Sequence, residues 1–133
     1  MNDDQIEKPG RKRTVYTSEC AEWIMPVRDA LETLYGRWKL PIIISLTFGN
    51  KRFTQIAAEI TGITDKSLSK ELKELEVNQL IKRVIVESYP VRVEYQLTEH
   101  GKSLEKVLNE LRNWGKVHRQ TIIGRVSAIE DLA

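Results

Sequence analysis

Cysteine is almost absent from this chain. Its single cysteine, Cys20, cannot form an internal disulfide or supply a thiolate cluster for a metal ion. The options left to it are burial as a small apolar side chain, oxidation in place, or a disulfide with a second chain. The cysteine content therefore excludes a disulfide-stabilised fold and leaves Cys20 as a candidate redox site.

Residues for catalysis and metal binding are equally scarce. The two histidines, His100 and His118, have no cysteine or closely spaced carboxylates beside them, so each is interpreted as a surface histidine. The chain has no glycine-rich phosphate loop, and one cysteine with two histidines does not make a specific set of nucleophile, base and orienting group. The sequence therefore predicts no enzyme activity, no metal and no cofactor.

Membrane segments and an excess of one charge are also lacking. No apolar run approaches the ~20 residues of a membrane span. The N-terminal residues Met1 to Gln5 lack the basic and then apolar pattern of a signal peptide. We therefore expect a cytoplasmic protein with no membrane partner. Because the net charge is only +2, a case for nucleic-acid binding must rest on where the cationic side chains lie.

One segment, residues 63–76, combines an apolar face with a cationic one. Its apolar residues follow the i, i+4, i+7 spacing of one helix face: Leu68, Leu72 and Leu75. At about 100° per residue, three lysines point the opposite way: Lys66, Lys70 and Lys73. Thr64 is expected to cap this helix, and Asp65 suits the positive end of its dipole. Taken alone, the lysine face could be an ordinary solvated face.

The neighbouring segments favour a docking surface. Residues 53–60 form a second short amphipathic segment, and the turn Thr61-Gly62 separates it from the lysine-bearing helix, as in a helix-turn-helix. Two strand-like runs, residues 81–87 and 91–97, follow and would form a wing. The wing carries three basic residues, which would make its outer side and tip basic: Lys82, Arg83 and Arg92. An ordinary half-exposed hairpin is the alternative interpretation of this pair.

The N-terminal part of the chain is assigned by composition. Residues 1–14 are polar and are expected to form a mobile tail ahead of a single domain of residues 15–133. Pro26 is placed in the first turn of a helix that runs to about Leu34.

Two further elements are predicted from apolar content and turn chemistry. Residues 38–46 predict a central buried helix, although their β-branched run would also suit a buried strand. After the lysine-bearing helix, Asn78 is expected to take a left-handed conformation more readily than Gln79.

A long apolar pattern predicts a C-terminal helix. Its residues recur every three or four positions: Leu104, Val107, Leu108, Leu111, Trp114 and Val117. This stripe could pack on its own domain or on a second subunit, and further apolar residues such as Ile122 and Ile123 favour an assembly. Residues after Gly124 are expected to form a further short helix. On this helix the predicted dimer interface comprises Leu104, Leu108, Leu111 and Trp114.

Several segments across roughly residues 26–115 match a known family pattern in order and spacing. They are Gly36-Arg37-Trp38, residues 52–56, Gly62-Ile63-Thr64 with Leu68, residues 72–76, residues 90–101, and Trp114-Gly115. Together they resemble the HxlR-type branch of winged helix-turn-helix regulators, a group similar to the MarR proteins. The predicted fold class is α+β and mainly helical, a winged helix-turn-helix with a two-stranded β wing. The resemblance adds N- and C-terminal dimerisation helices, which places Trp23 in the predicted dimer interface.

The resemblance implies a homodimeric, cytoplasmic, bacterial transcription factor whose N-terminal segment and long C-terminal helix build the dimer. Two positions depart from the family pattern. Met25 stands where many members have a redox-active cysteine before the proline, and Gln79 stands where the family usually has a helix-ending glycine.

The sequence thus predicts a sequence-specific regulator that binds double-stranded DNA as a homodimer on a roughly palindromic operator. The expected groove contacts are Thr64, Lys66, Ser67 and Lys70. The expected phosphate contacts are Lys73, Arg52, Arg83 and Arg92. The main alternative is a winged-helix module that binds a protein through the same surface. A redox effector would act at Cys20, and a small apolar effector would bind where Trp23, Trp38 and Trp114 gather.

Overall fold

The computed structural model describes the backbone of residues 17–132 and the side chains of residues 17–125. In chain order its elements are α1 (Ser18–Thr33), α2 (Lys39–Thr47), α3 (Phe53–Glu59), α4 (Asp65–Val77), β1 (Ile81–Val86), β2 (Arg92–Leu97), α5 (Glu99–Lys102) and α6 (Glu105–Leu132). This order confirms the mainly helical fold class with its two-stranded wing. The dimerisation role of the terminal helices stays a prediction. The predicted tail of residues 1–14 lies outside the described residues. The described chain divides into two units, one that ends at Gly36 and one that begins at Arg37.

Helix α1 begins eight residues before Pro26, so the prediction that Pro26 lies in a first turn is wrong. Thr17 caps the helix, with its Oγ1 accepting a hydrogen bond from the backbone N–H of Cys20 at 3.2 Å. Pro26 lies inside the helix, where it lacks the N–H that would bond the preceding turn. A capped helix of 16 residues tolerates that single missing bond.

Helix α2 is the central element of the second unit, as predicted, and its β-branched run is helical. Ile42 and Ile43 are fully inaccessible, while Ile44 faces outward. The core around α2 is drawn from every other element of this unit except α5 and α6: Ile42, Ile43, Leu46, Ile56, Ile60, Leu68, Leu72, Leu75, Leu80, Ile81 and Leu97. Each such side chain contributes about 1.5–3 kcal/mol through burial.

Helices α3 and α4 form the predicted helix-turn-helix. The turn between them contains Gly62 at φ 93°, a conformation that a side chain would strain. Thr64 caps α4, because its Oγ1 accepts a hydrogen bond from the backbone N–H of Ser67 at 3.1 Å. The three leucines of α4 are buried as predicted: Leu68, Leu72 and Leu75. The cap and the buried leucines together set the direction in which the opposite face points.

The end of α4 corrects one prediction, because Gln79 and not Asn78 is left-handed. Gln79 has φ 60°, whereas Asn78 has φ −80°. The N–H of Leu80 donates to the carbonyl of Leu75 at 3.0 Å, and the N–H of Gln79 donates to the carbonyl of Glu76 at 3.0 Å. This is the Schellman pattern, which requires the left-handed residue immediately after the cap. The hydrogen-bond geometry therefore selects the position and outweighs the greater tolerance of asparagine.

The wing is an antiparallel pair in which Ile81 lies opposite Leu97 and Val86 lies opposite Arg92. A short bridge joins this sheet to the chain ahead of α3. There, the N–H of Lys51 donates to the carbonyl of Tyr95 at 3.1 Å, and the N–H of Tyr95 donates back at 2.7 Å. The bridge is isolated, so the sheet itself keeps two strands.

The C-terminal elements begin with a cap at Thr98. Its Oγ1 accepts a hydrogen bond from the N–H of Gly101 at 3.0 Å. Gly101 lies against Leu80, the residue just before β1, since a Cβ added to Gly101 would clash with the carbonyl oxygen of Leu80. Helix α6 then runs without a break through Gly124, so the predicted separate helix after Gly124 is wrong. A glycine inside a helix costs about 1 kcal/mol relative to alanine but removes no hydrogen bond.

No helix among residues 17–132 combines the length and the apolar character that crossing a bilayer requires.

Candidate nucleic-acid interface

Helix α4 brings the four predicted groove-contact residues together in its first two turns. Thr64, Lys66 and Lys70 are exposed, whereas Ser67 is half-buried. Lys73 extends the same exposed face by one turn. The three ammonium groups lie opposite the buried leucines, so the lysine face points away from the core of its own unit.

The formal charge of α4 itself does not favour DNA. Its 13 residues contain three lysines and four acids, Asp65, Glu71, Glu74 and Glu76, so acids outnumber lysines by one. The arrangement of these charges is what matters. Two of the carboxylates, on Glu71 and Glu74, lie on a flank of the helix where α2 supplies a cation.

That cation is Lys39, a residue whose role the sequence analysis missed. Lys39 is only 7% exposed, and its Nζ lies 2.6 Å from Oε2 of Glu71 while also donating to Oε2 of Glu74. A charged residue at the start of an otherwise apolar helix was the available signal. Its partners could not be identified from sequence, because they lie more than 30 positions further along the chain.

The ion pair shifts the pKa of Lys39 and the pKa of Glu74. Burial alone would lower the pKa of Lys39, but hydrogen bonds with Glu71 and Glu74, aided by their charges, raise that pKa above its ordinary value. The hydrogen bond from Lys39 lowers the pKa of Glu74, and the charges of Lys39 and, to a lesser degree, Lys70 add to this. Lys39 and Glu74 are therefore both charged at neutral pH.

A groove of about 420 Å³ separates α4 from the wing. Its lining on the α4 side is Ser69, Lys73, Glu76 and Val77, and on the wing side Arg83 and Tyr95. Arg83 and Tyr95 lie directly opposite each other in the sheet. The groove therefore presents two cations and a phenol against one carboxylate, a set of donors that suits a phosphate.

The remaining basic candidates are separated. Arg52 is exposed immediately ahead of α3, where its backbone N–H donates to Oε1 of Gln55 at 2.8 Å. Lys82 and Arg92 lie on one face of the wing, and Arg83 lies on the other, because neighbouring residues of a strand alternate between faces. The expected single basic surface of the wing is therefore divided between its two faces.

A second internal ion pair positions α3, and it too was missed. The Nζ of Lys51 lies 2.6 Å from Oε2 of Glu59 and donates to the carbonyl of Ser45 at 2.7 Å. The hydroxyl of Ser45 donates to the same carboxylate at 2.6 Å. Hydrogen bonds from Lys51 and Ser45 lower the pKa of Glu59. Because Ser45 is part of α2, this network ties α3 to the central helix.

The predicted dimer-interface residues differ in exposure. Trp23 on α1 and Leu111 and Trp114 on α6 are exposed, whereas Leu104 and Leu108 are half-buried. The ring of Trp114 stacks on that of His118 with centroids 4.7 Å apart.

Two other predicted sites are placed as follows. Cys20 is exposed in the first turn of α1, so burial as a small apolar side chain does not apply within the described chain. The ring of Trp38 lies 4.6 Å from the guanidinium carbon of Arg37 and beside the turn at Gly62.

A helix-turn-helix whose second helix exposes three lysines, followed by a two-stranded wing, defines a winged helix-turn-helix DNA-binding protein. The model of the HxlR-like helix-turn-helix family matches residues 33–122, and the chain belongs to that family.

Related proteins agree with this assignment. The chain is 37% identical over 106 residues to YtcD of Bacillus subtilis strain 168, an HTH-type transcriptional regulator, covering 80% of this chain and 84% of that one. A MarR-family transcriptional regulator from Enterococcus faecalis V583 has a similar structure, with a TM-score of 0.68 and 32% identity over 83% of this chain and 96% of that one.

The structure of the reduced form of the transcriptional regulator YodB from B. subtilis gives a TM-score of 0.64 and 39% identity, over 67% of this chain and 87% of that one. A diamide-treated form of YodB gives a TM-score of 0.60 at 38% identity, over 68% and 90% of the two chains. The family and these relatives are transcriptional regulators and not enzymes, so this protein is a transcriptional regulator with a helix-turn-helix DNA-binding fold.

Proposed function

We propose that the protein acts as a homodimer on a roughly palindromic operator, with α4 of each subunit in a major groove and the wing on the phosphate backbone. The observation that carries this proposal is the lysine face of α4, Lys66, Lys70 and Lys73, which is exposed on a helix whose cap and buried leucines set its orientation. Recognition helices of this kind read bases with their N-terminal residues.

The contacts divide by position along α4. Thr64, Lys66, Ser67 and Lys70 occupy the first two turns and read base edges. Lys73 and Arg83 line the groove between α4 and the wing, so together they hold a phosphate. Arg52 and Arg92 hold further phosphates, which position the protein without reading sequence.

The exposed apolar faces of α1 and α6 support the dimer. On α1, residues at a four-residue spacing stay uncovered: Trp23, Val27 and Leu31. On α6, a second uncovered stripe comprises Val107, Leu111, Trp114 and Val117. The occupant that we propose for both faces is a second copy of the chain, because a palindromic operator requires two recognition helices about one DNA turn apart, ~34–36 Å.

The first test is binding of the purified protein to a labelled duplex from the DNA upstream of its own reading frame. An unrelated duplex of equal length serves as the control, and both are titrated at several salt concentrations. We expect a preference of at least several hundredfold with two subunits per site. Salt-insensitive binding to a protein partner and to neither duplex would instead indicate a protein-interaction module.

Cys20 is proposed as the site of redox control, through a disulfide between two subunits. Its exposure in the first turn of α1 supports this assignment, and a relative, YodB, has been studied in reduced and diamide-treated forms. Mild oxidation should produce a dimer band on a non-reducing gel that is absent from Cys20→Ser. A gel showing only monomer would remove this proposal and leave DNA binding unaffected.

A further inference from the structure

The acidic flank of α4 lies close to a lysine that the proposed function needs. Glu74 follows Lys70 by four residues, the spacing at which side chains on a helix surface meet and pair. Lys70 belongs to the exposed face, and Glu74 has a side chain that is 44% exposed. A free Glu74 carboxylate could therefore swing to Lys70 and neutralise it.

In the structure, Glu74 is held elsewhere. Its Oε2 accepts a hydrogen bond from the Nζ of Lys39, which also lies 2.6 Å from Oε2 of Glu71. The Lys39 side chain is 9% exposed and that of Glu71 is 13% exposed. A largely buried ion pair of this kind is weak evidence for stability, because apolar replacements of similar volume often cost nothing.

We propose that Lys39 is a positioning residue for DNA binding. It holds the carboxylates of Glu71 and Glu74 against α2, which prevents Glu74 from pairing with Lys70. Lys70 is thereby left free to contact DNA. The inference rests on the proposed function of α4. It predicts that the charge of Glu74 harms DNA binding only when Lys39 is absent.

The test is a double-mutant cycle on operator affinity. Glu74→Gln is introduced into two backgrounds, the parent and Lys39→Met/Glu71→Gln. The second background removes the buried pair at both ends, so that only the half-exposed Glu74 is left without its partner. All four proteins are compared at several salt concentrations, with thermal unfolding followed by circular dichroism to confirm that each is folded.

In the parent background, Glu74→Gln should change affinity by about twofold or less. In the Lys39→Met/Glu71→Gln background, the same substitution should tighten binding by about tenfold and steepen the salt slope by about one unit, because a groove-facing lysine is released. If the charge of Glu74 simply repelled DNA, or if Lys39 had a purely structural role, Glu74→Gln would change the operator affinity equally in the two backgrounds.

Equal effects in the two backgrounds, with a parent that binds DNA in a salt-dependent way, would overturn the role of Lys39 alone. A parent that shows no salt-dependent binding to any duplex would overturn the proposed function, and the role of Lys39 with it.

Discussion

Helices α1 and α4 have the same kind of amphipathic pattern, but only α4 has its apolar stripe buried. In α4 the apolar stripe is covered, and Leu68, Leu72 and Leu75 are nearly inaccessible. In α1, which is longer, no side chain is buried. Trp23 and Leu31, at the two ends of its stripe, are 76% and 64% exposed. An apolar periodicity thus predicts a face that needs a partner, and does not say whether the same chain supplies it.

The difference in burial between α4 and α1 indicates that the two helices are stabilised in different ways. The orientation of α4 is set within a single chain, because its leucines are buried, β1 packs against it, and Lys39 of α2 holds its acidic flank. Contiguous exposed apolar side chains such as those of α1 often mark an interaction site. We infer that the DNA-reading part is complete in one subunit, whereas the helices outside it depend on assembly.

The largest expected effect separates the two helices by stability. Leu72→Ala should lower the free energy of unfolding by about 2–5 kcal/mol, because it leaves a cavity in the core. The matched change on α1, Leu31→Ala, should cost less than about 1 kcal/mol when the protein is dilute enough to be monomeric. Urea denaturation at low protein concentration measures both. A cost for Leu31→Ala equal to that for Leu72→Ala would show that α1 is packed within one chain.

The next effect concerns assembly. Trp114→Ala should raise the dimer dissociation constant by about 30-fold or more, the result of truncating a central aromatic anchor worth about 2 kcal/mol. Tyr89→Ala, at the fully exposed tip of the wing, is the control and should leave the constant unchanged. Sedimentation equilibrium gives both values. Similar constants for Trp114→Ala and the parent would exclude the face of α6 as the dimer interface.

A smaller effect distinguishes the polar faces of the two helices. Lys73→Ala should weaken binding to all duplexes and reduce the salt slope by about one unit, because one phosphate contact is lost. Arg28→Ala removes a cation from α1 and should leave the slope unchanged. Fluorescence anisotropy across a salt series measures the slopes. If Lys73→Ala binds like the parent at every salt concentration, Lys73 does not contact a phosphate.

The smallest effect lies where the two helices end. After α1 the positive φ falls on Gly36, whereas after α4 it falls on Gln79. Gln79→Gly should therefore raise the free energy of unfolding by about 0.4–1 kcal/mol by relieving strain at a left-handed position. The neighbouring change, Asn78→Gly, should lower it, since Asn78 has an ordinary φ of −80°. Thermal unfolding of the two variants should shift in opposite directions.

The elements that sequence predicted well are those set by local pattern. The turn at Gly62, the cap at Thr64 and the leucine stripe of α4 all lie within 14 residues of chain, so their spacing was sufficient. The predictions at Pro26 and Gly124 were wrong because a breaker residue was given more weight than the helix around it. Each removes or weakens one local interaction while the rest of the helix remains.

The ion pairs could not be predicted, for a different physical reason. Lys39 meets Glu71 and Glu74 only after α2 and α4 have folded onto a common core.

The separation of Arg83 from Lys82 and Arg92 followed from strand alternation and could have been read from the sequence. Whether the candidate site residues contact DNA stays a prediction until binding is measured.

The bridge between Lys51 and Tyr95 has a consequence for the shape of the DNA. Two backbone hydrogen bonds of 3.1 and 2.7 Å fasten the wing to the chain just ahead of α3. They restrain the separation between the first helix of the motif and the wing. In the complex that we propose, the protein therefore does not adapt to a duplex of a different groove width by moving the wing away from the helix-turn-helix. The elastic cost of the fit then falls on the nucleic acid, and operators made of easily deformed base steps gain an advantage at positions that no side chain touches.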